Sequence, residues 1–158
     1  GQWAYDYGYG TCVDDAGNVY VAGKYEMDGQ FGHMVVSSKG NHDMFVAKYD
    51  NNGNIQWVQS GGGEWGDYAH EVDCDGAGNV FVTGEFELTA DFGSQSVSTW
   101  GGNDIFLARY NTRGDLQWVK RAGGSGEVPR TPGRNRDKED AEEGADEVRD
   151  QRLPRLYG

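Results

Sequence analysis

One segment of this chain recurs 61 residues later, and this internal repeat restricts the fold more than any other feature. Four blocks return with that spacing: residues 17–23 as 78–84, 31–32 as 92–93, 43–49 as 104–110, and 53–57 as 114–118. The spacing holds without a gap through residues 6–57 and 67–118. Because chance does not preserve one offset through separate blocks, the sequence predicts two copies of the same structural unit.

Within each copy, side-chain character alternates with a period of two, which predicts β-strands. In residues 104–110, Ile105 and Leu107 fall on one face and Phe106 and Ala108 on the other. Both faces are largely apolar, as in strands that are covered on both sides. Between these runs lie clusters that begin with Asp or Asn and end near Gly, which is typical of tight hairpin turns. These clusters are residues 14–18, 50–54 and 111–115.

We predict four strands per copy, joined by hairpins, which is the composition of one blade of a β-propeller. In the second copy the strands are expected at residues 70–75, 79–87, 105–110 and 116–120, with residues 92–100 as a longer connection, with or without a short extended piece. The expected fold is all-β: two four-stranded antiparallel blades, a partial β-propeller, and a disordered or weakly helical C-terminal tail.

The expected organisation has three parts: residues 1–66 as the first blade with a lead-in strand, 67–126 as the second blade and the start of a third repeat, and 127–158 as a charged, low-complexity tail. The third repeat is inferred because residues 119–124 resemble 58–62. The tail holds nine acidic and seven basic residues and one aromatic residue, which predicts disorder. Its composition favours a linker, or a stretch foreign to the propeller, over an interaction tail.

The four motifs of the repeat resemble the bacterial seven-bladed β-propeller (SBBP) repeat family. The motifs are Gly-Asn-Val-aromatic-Val-x-Gly, Phe-Gly, Asp-x-Phe-x-Ala-basic-Tyr and Gly-x-x-Gln-Trp, and the resemblance covers about residues 6–124. It implies propeller blades of bacterial secreted or surface-attached proteins, hence an extracellular or cell-surface location, and it brings no catalytic residues. This chain departs from the family in having only two complete copies.

When two blades pack together, each covers one apolar face of the other, and the second apolar face of each blade stays uncovered. Repeat folds generally need three or more units for stability. We therefore expect a piece of a longer array or one protomer of an assembled ring, and the start inside a repeat favours the first. The expected partners are further blades in a longer chain, self-association, and a glycan or protein ligand.

Charge and hydropathy exclude two classes of partner. The formal net charge of −12 argues against nucleic acid, because a phosphate backbone must be met by clustered Lys and Arg. An anionic membrane surface is disfavoured for the same reason. No apolar run approaches the roughly 18 residues of a transmembrane helix, so we expect no membrane insertion.

The two cysteines, Cys12 and Cys74, do not occupy equivalent positions in the repeat, since Cys12 aligns with Asp73 and Cys74 with Val13. Neighbouring positions on a strand point to opposite faces. A bridge between them and two free thiols are both open, and we favour free thiols because spacing alone does not establish a disulfide.

Calcium is the only cofactor with a candidate site. Asp73 and Asp75 place two carboxylates before a glycine, as at the start of a calcium loop, but the further oxygen ligands of such a loop are missing. Capping of a turn by Asp is the favoured interpretation. The histidines His33, His42 and His70 lack zinc-ligand spacing.

Aromatic residues outside the repeat motifs are the candidates for ligand binding: Trp65 and Trp100, together with His70 at a strand entrance, and also Trp3, Tyr5 and Tyr9. Packing at blade edges is the favoured interpretation of these aromatics, whereas the repeated Trp57 and Trp118 are expected in the core. No catalytic constellation is found. The expected function is a non-enzymatic structural or binding scaffold; the alternative is a fragment of a propeller carbohydrate-active hydrolase or lyase whose catalytic residues lie elsewhere.

Overall fold

The computed structural model describes residues 4–125, which form ten β-strands and no helix. The strands are β1 (Tyr7–Val13), β2 (Val19–Tyr25), β3 (Asp28–Phe31), β4 (Met34–Ser37), β5 (Asp43–Tyr49), β6 (Ile55–Gly61), β7 (Tyr68–Cys74), β8 (Val80–Phe92), β9 (Gln95–Tyr110) and β10 (Leu116–Ala122). The predicted tail, residues 127–158, lies outside the described residues. No helix that could cross a membrane is found in the described part of the chain.

The strands form two four-stranded antiparallel sheets and one two-stranded hairpin. The first sheet has the order β1-β2-β5-β6, the second has the order β7-β8-β9-β10, and β3 pairs with β4. Each sheet is a meander in which the first strand of the copy lies at one edge and the last at the other. The prediction of an all-β fold with two blade-like antiparallel sheets of four strands is confirmed.

Four tight turns connect the strands at one end of both sheets, which we call the turn end. In the first, Asp14 Oδ1 accepts hydrogen bonds from the backbone amides of Ala16 and Asn18 at 3.0 and 2.9 Å. The glycine before the last turn residue has a positive φ in each case: 79° at Gly17, 82° at Gly53, 79° at Gly78 and 85° at Gly114. The predicted turn chemistry, a side-chain cap followed by a left-handed glycine, is therefore confirmed.

At the opposite end, the hairpin end, each copy extends into a second hairpin. In the first copy this is the β3–β4 hairpin; in the second, β8 and β9 continue as a long ladder with a register shift between Glu87 and Thr89. Met27 and Leu88, which are 61 residues apart, stand where the second hairpin begins in each copy and have positive φ angles of 59° and 58°. The predicted longer connection at residues 92–100 holds more strand than the short extended piece considered, because residues 95–98 pair with β8 around a turn at Gly93.

The residues interpreted as the start of a third repeat belong to the second sheet. Strand β10 continues to Ala122, and Val119, Lys120 and Arg121 pair with β9. The interpretation of a third repeat is therefore wrong. Residues 119–123 continue the second copy, because they occupy the positions at the edge strand that residues 58–62 occupy in the first copy.

The two sheets pack face against face around the main core. The first sheet contributes Tyr20, Val46 and Trp57, and the second contributes Val82 and Phe106, together with other buried side chains of both. The opposite face of the first sheet forms a smaller cluster with the β3–β4 hairpin, where the rings of Phe31 and Phe45 lie 4.7 Å apart. The predicted burial of Trp57 is confirmed, whereas Trp118 is only half-buried.

Cys12 and Cys74 form a disulfide with a Cα–Cα distance of 6.1 Å, so the favoured interpretation of two free thiols is wrong. The reason lies in how equivalent sheets stack. Cys12 lies opposite Tyr20 on the face of the first sheet that meets the second sheet, and Cys74 lies opposite Val80 on the face that meets the first. Residues 61 positions apart lie on the same face of the repeat, whereas the two sheets meet through opposite faces. Residues of β1 and β7 that meet between the sheets must therefore be separated by 61 plus or minus an odd number, and 62 is such a separation.

We expect that replacing Cys12 with Ser lowers the free energy of unfolding by about 4 kcal/mol, because the bond closes a 62-residue loop in the unfolded chain. Denaturant unfolding measures this loss. Cys74→Ser and the double variant should lose the same amount as Cys12→Ser. Alkylation of both thiols in the denatured, unreduced protein would contradict the disulfide.

Candidate functional site

The first strands of the two copies, β1 and β7, lie side by side without pairing in one ladder. Gly10 makes this close approach possible: a Cβ at this position would lie 3.0 Å from the backbone nitrogen of Val72. The two strands therefore present their exposed side chains on one continuous surface. This surface carries four rings, Tyr7, Tyr9, Tyr68 and His70, which we call the aromatic row.

The four rings are close enough to act as one platform. The rings of Tyr7 and Tyr9 are parallel within 4°, with centroids 6.0 Å apart, and those of Tyr68 and His70 are parallel within 3° at 6.2 Å. Tyr9 and His70 connect the two pairs at 5.8 Å. Tyr7 and Tyr9 are each 46% exposed, so the platform offers aromatic surface to solvent.

Charged side chains border the aromatic row. The ammonium group of Lys24 lies 5.1 Å from the ring centroid of Tyr7 and 5.2 Å from that of Tyr68, so one cation–π contact is made to each sheet. Glu85, the residue equivalent to Lys24 in the second copy, places a carboxylate oxygen 3.6 Å from His70 Nε2. The row is thus flanked by groups that can donate and accept hydrogen bonds.

A second histidine lies behind the row. The ring of His42 lies 5.6 Å from that of Tyr68, and His42 Nε2 lies 2.7 Å from a carboxylate oxygen of Glu26. Tyr7 and Tyr68 begin their strands, so the row lies at the hairpin end, where the longer connections gather. Loops of this kind most often carry binding functions.

The structure places the predicted ligand-binding residues in different surroundings. His70 is part of the aromatic row, together with Tyr9. Trp65 and Trp100 are 48% and 72% exposed, and Trp100 lies under the guanidinium of Arg121 at 4.3 Å. Tyr5 is 57% exposed, and Trp3 lies outside the described residues. Trp65, Trp100, Tyr5 and Tyr9 are exposed, while Tyr9 and Trp100 still pack at strand edges against His70 and Arg121, so packing at blade edges stays a prediction.

Sequence reasoning missed Tyr7, Tyr68 and Lys24. It looked for function among residues without a counterpart in the other copy, and Tyr7 and Tyr68 are counterparts of each other. A usable signal was present, because Tyr7 and Tyr9 are spaced to share one face of a strand that begins beside glycines. What the sequence did not reveal is that β1 and β7 would be neighbours.

Asp73 and Asp75, the calcium candidates, do not converge. Asp75 caps its turn: Oδ1 accepts from the backbone amide of Asn79 at 2.8 Å and Oδ2 from its side-chain amide at 2.7 Å. The hydrogen bond from the Asn79 side chain, and then the one from its backbone amide, hold the pKa of Asp75 below its usual value. Asp73 Oδ1 instead accepts from the amide of Cys74 at 2.8 Å. Within residues 4–125, no group of three or more His, Cys, Asp or Glu side chains is arranged to hold a metal ion.

We expect that adding calcium, or removing it with a chelator, leaves the melting temperature unchanged, because the Asp75 oxygens are already used by Asn79. Thermal unfolding followed by circular dichroism measures this. A melting temperature that rises with calcium and falls with chelator would instead support calcium-stabilised repeats.

Two carboxyl groups are buried between the sheets at the hairpin end. Asp43 and Asp67 are both fully buried. Asp67 Oδ2 accepts from the amide of Gly63 at 2.8 Å, while Oδ1 has no hydrogen-bond partner among the described residues. Burial, and then the nearby carboxylates of Asp43 and Glu87, raise the pKa of Asp67 to about 7. Asp67 is enclosed, whereas His70 is exposed and lies beside Glu85.

We expect the protein to lose stability as the pH rises from about 4 to about 7, because in this range the folded state binds the Asp67 proton and the unfolded state does not. Asp67→Asn should remove part of this slope and stabilise the protein more at pH 8 than at pH 5. Denaturant unfolding at several pH values measures both effects.

Asp6→Asn is the matched control, since Asp6 occupies the same position in the first copy but is exposed. It should leave the slope unchanged. An Asp67→Asn variant with the slope of the parent protein would show that Asp67 ionises normally in the fold.

Comparison with known proteins adds no relative: no family model matches this chain, and no curated protein matches it significantly. The resemblance to the SBBP repeat family therefore stays a prediction.

Proposed function

We propose that this chain is a non-enzymatic β-propeller repeat segment of a bacterial secreted or surface protein, and that it binds a glycan on the aromatic row. The row of four rings shared by β1 and β7, of which Tyr7, Tyr9 and His70 are exposed, is the observation that carries this proposal. Exposed tyrosines combine a large apolar surface with a hydroxyl group, which suits the mixed surface of a sugar ring.

The surroundings of the row support a neutral, hydroxyl-rich ligand. Glu85 provides an acceptor beside the rings, and Lys24 provides a donor between them. The net charge of −12 opposes an anionic ligand such as nucleic acid. A row of flat rings with donors and acceptors at its border therefore favours sugar hydroxyls over a phosphate backbone.

A location outside the cytoplasm is part of the proposal. The bond between Cys12 and Cys74 supports it, because disulfides persist in oxidising compartments and are rare in the cytosol. The bond also joins β1 and β7, the two strands that carry the aromatic row, so an oxidising environment would hold the two halves of the row together.

We expect the full chain to bind a subset of glycans on an array, and Tyr9→Ser to weaken this binding about tenfold, because one aromatic contact in a small site contributes on the order of 1 kcal/mol. The matched control is Trp100→Ser, which removes an exposed aromatic residue outside the row. It should bind like the parent protein, and circular dichroism should show both variants folded.

An array without bound glycans, or a Tyr9→Ser variant that binds as the parent does, would contradict the glycan proposal. A screen for hydrolase and lyase products with a longer protein that contains this chain, on the same glycans, tests the alternative of a carbohydrate-active enzyme whose catalytic residues lie elsewhere. Release of products by that longer protein would replace the non-enzymatic proposal.

A further inference from the structure

The two copies differ in which faces are covered. In the first sheet, Tyr20, Met44 and Val46 are fully buried against the second sheet. Their equivalents 61 residues later are Phe81, Ile105 and Leu107, and these form the outer face of the second sheet, where Ile105 is 54% and Leu107 is 41% exposed. We call this outer face the donor face. The same apolar pattern is thus buried in one copy and left open in the other.

The opposite face shows the reverse difference. Val80, Val82 and Tyr110 of the second sheet are buried against the first sheet. Their equivalents Val19, Val21 and Tyr49 lie on the outer face of the first sheet, which we call the acceptor face, and all three are only half-buried. A single chain therefore carries both halves of the contact that joins its own two sheets.

The turn end repeats this complementarity in detail. Trp57 lies over the turn of the next copy: its indole donates to the carbonyl oxygen of Thr112 at 3.1 Å, and a Cβ at Gly114 would lie 2.8 Å from its ring. The equivalent glycine of the first copy, Gly53, is open, since a Cβ there would meet nothing within 4 Å among the described residues. Trp118, the equivalent of Trp57, is half-buried at the donor face. Among the described residues, the Trp118 indole therefore has no turn beneath it, and the Gly53 turn has no indole over it.

A basic side chain accompanies the tryptophan in both copies. Lys48 Nζ reaches the carbonyl oxygen of Thr112 at 3.5 Å, beside the indole of Trp57. Its equivalent in the second copy is Arg109, which lies on the donor face with its guanidinium 5.8 Å from the ring of Phe81. The outer face of the second sheet, the donor face, thus carries the equivalents of the two side chains that donate hydrogen bonds to the Thr112 carbonyl oxygen.

We infer that a second copy of this chain docks head to tail, with the donor face of one copy on the acceptor face of the next and Trp118 over the Gly53 turn. The occupant is argued from the internal contact, because the equivalent surfaces already bind each other once within the chain. A contact between two different faces is heterologous, so it closes into a ring or extends as a filament. The residues named on the two faces lie on β2, β5, β8 and β9, whereas the aromatic row lies on β1 and β7.

Two single substitutions test the inference on the full chain. Leu107→Lys places a charge on the donor face, and Val19→Lys places one on the acceptor face. We expect the parent protein to show a mass above its 17.4 kDa in light scattering that grows with concentration, and each variant alone to have the mass of one chain. Mixing the two variants should give a dimer, because each variant retains the face that the other has lost.

Val35→Lys is the matched control, since Val35 is 61% exposed on the hairpin and lies outside both faces. It should associate like the parent protein, and thermal unfolding should show that all three variants fold. A parent protein with the mass of one chain at every concentration would overturn the inference. So would an equimolar mixture that stays monomeric, or association that is lost in Leu107→Lys and retained in Val19→Lys, which would indicate a symmetric contact between two donor faces.

Discussion

The packing of one repeat on the next through opposite faces is the contact on which the rest of this structure depends. It buries Tyr20, Val46 and Phe106 in a core that neither sheet could form alone. The same contact determines which two cysteines form the disulfide, which glycines lie under aromatic rings and which carboxyl groups are shielded from solvent. Because a repeat has two different faces, every such contact satisfies one face of each copy and leaves the other face of each copy outward.

Placing β1 beside β7 has both a structural and a functional consequence. The absence of a side chain at Gly10 lets the two backbones approach, and the bond between Cys12 and Cys74 joins them at the turn end. At the hairpin end the same neighbourhood assembles Tyr7, Tyr9, Tyr68 and His70 into one surface. The proposed binding site is therefore built from residues that repeat, and its asymmetry comes from substitutions such as Lys24 to Glu85 between copies.

Features that depend on a few adjacent residues were predicted correctly from the sequence, whereas features that depend on contacts between distant segments were not. Alternating apolar residues and capped Gly turns predicted the four main strands of each sheet, because strand and turn formation depend on a few adjacent residues. Sequence reasoning missed the second hairpin, whose Ser-rich strand has little apolar signal, and it misjudged the cysteines. Position within the repeat made Cys12 and Cys74 look unrelated, yet stacked sheets bring non-equivalent positions into contact.

The sequence by itself determined the repeat, the strand order within each copy and the chemistry of the turns, since all of these follow from residue pattern and short-range hydrogen bonding. Only the tertiary structure decided that the two sheets stack face against face, that four rings from two strands share one surface, and that Asp67 is buried beside Asp43. Those outcomes depend on which distant segments become neighbours. A pattern of period two specifies that both faces of a strand are apolar, but not what will cover them.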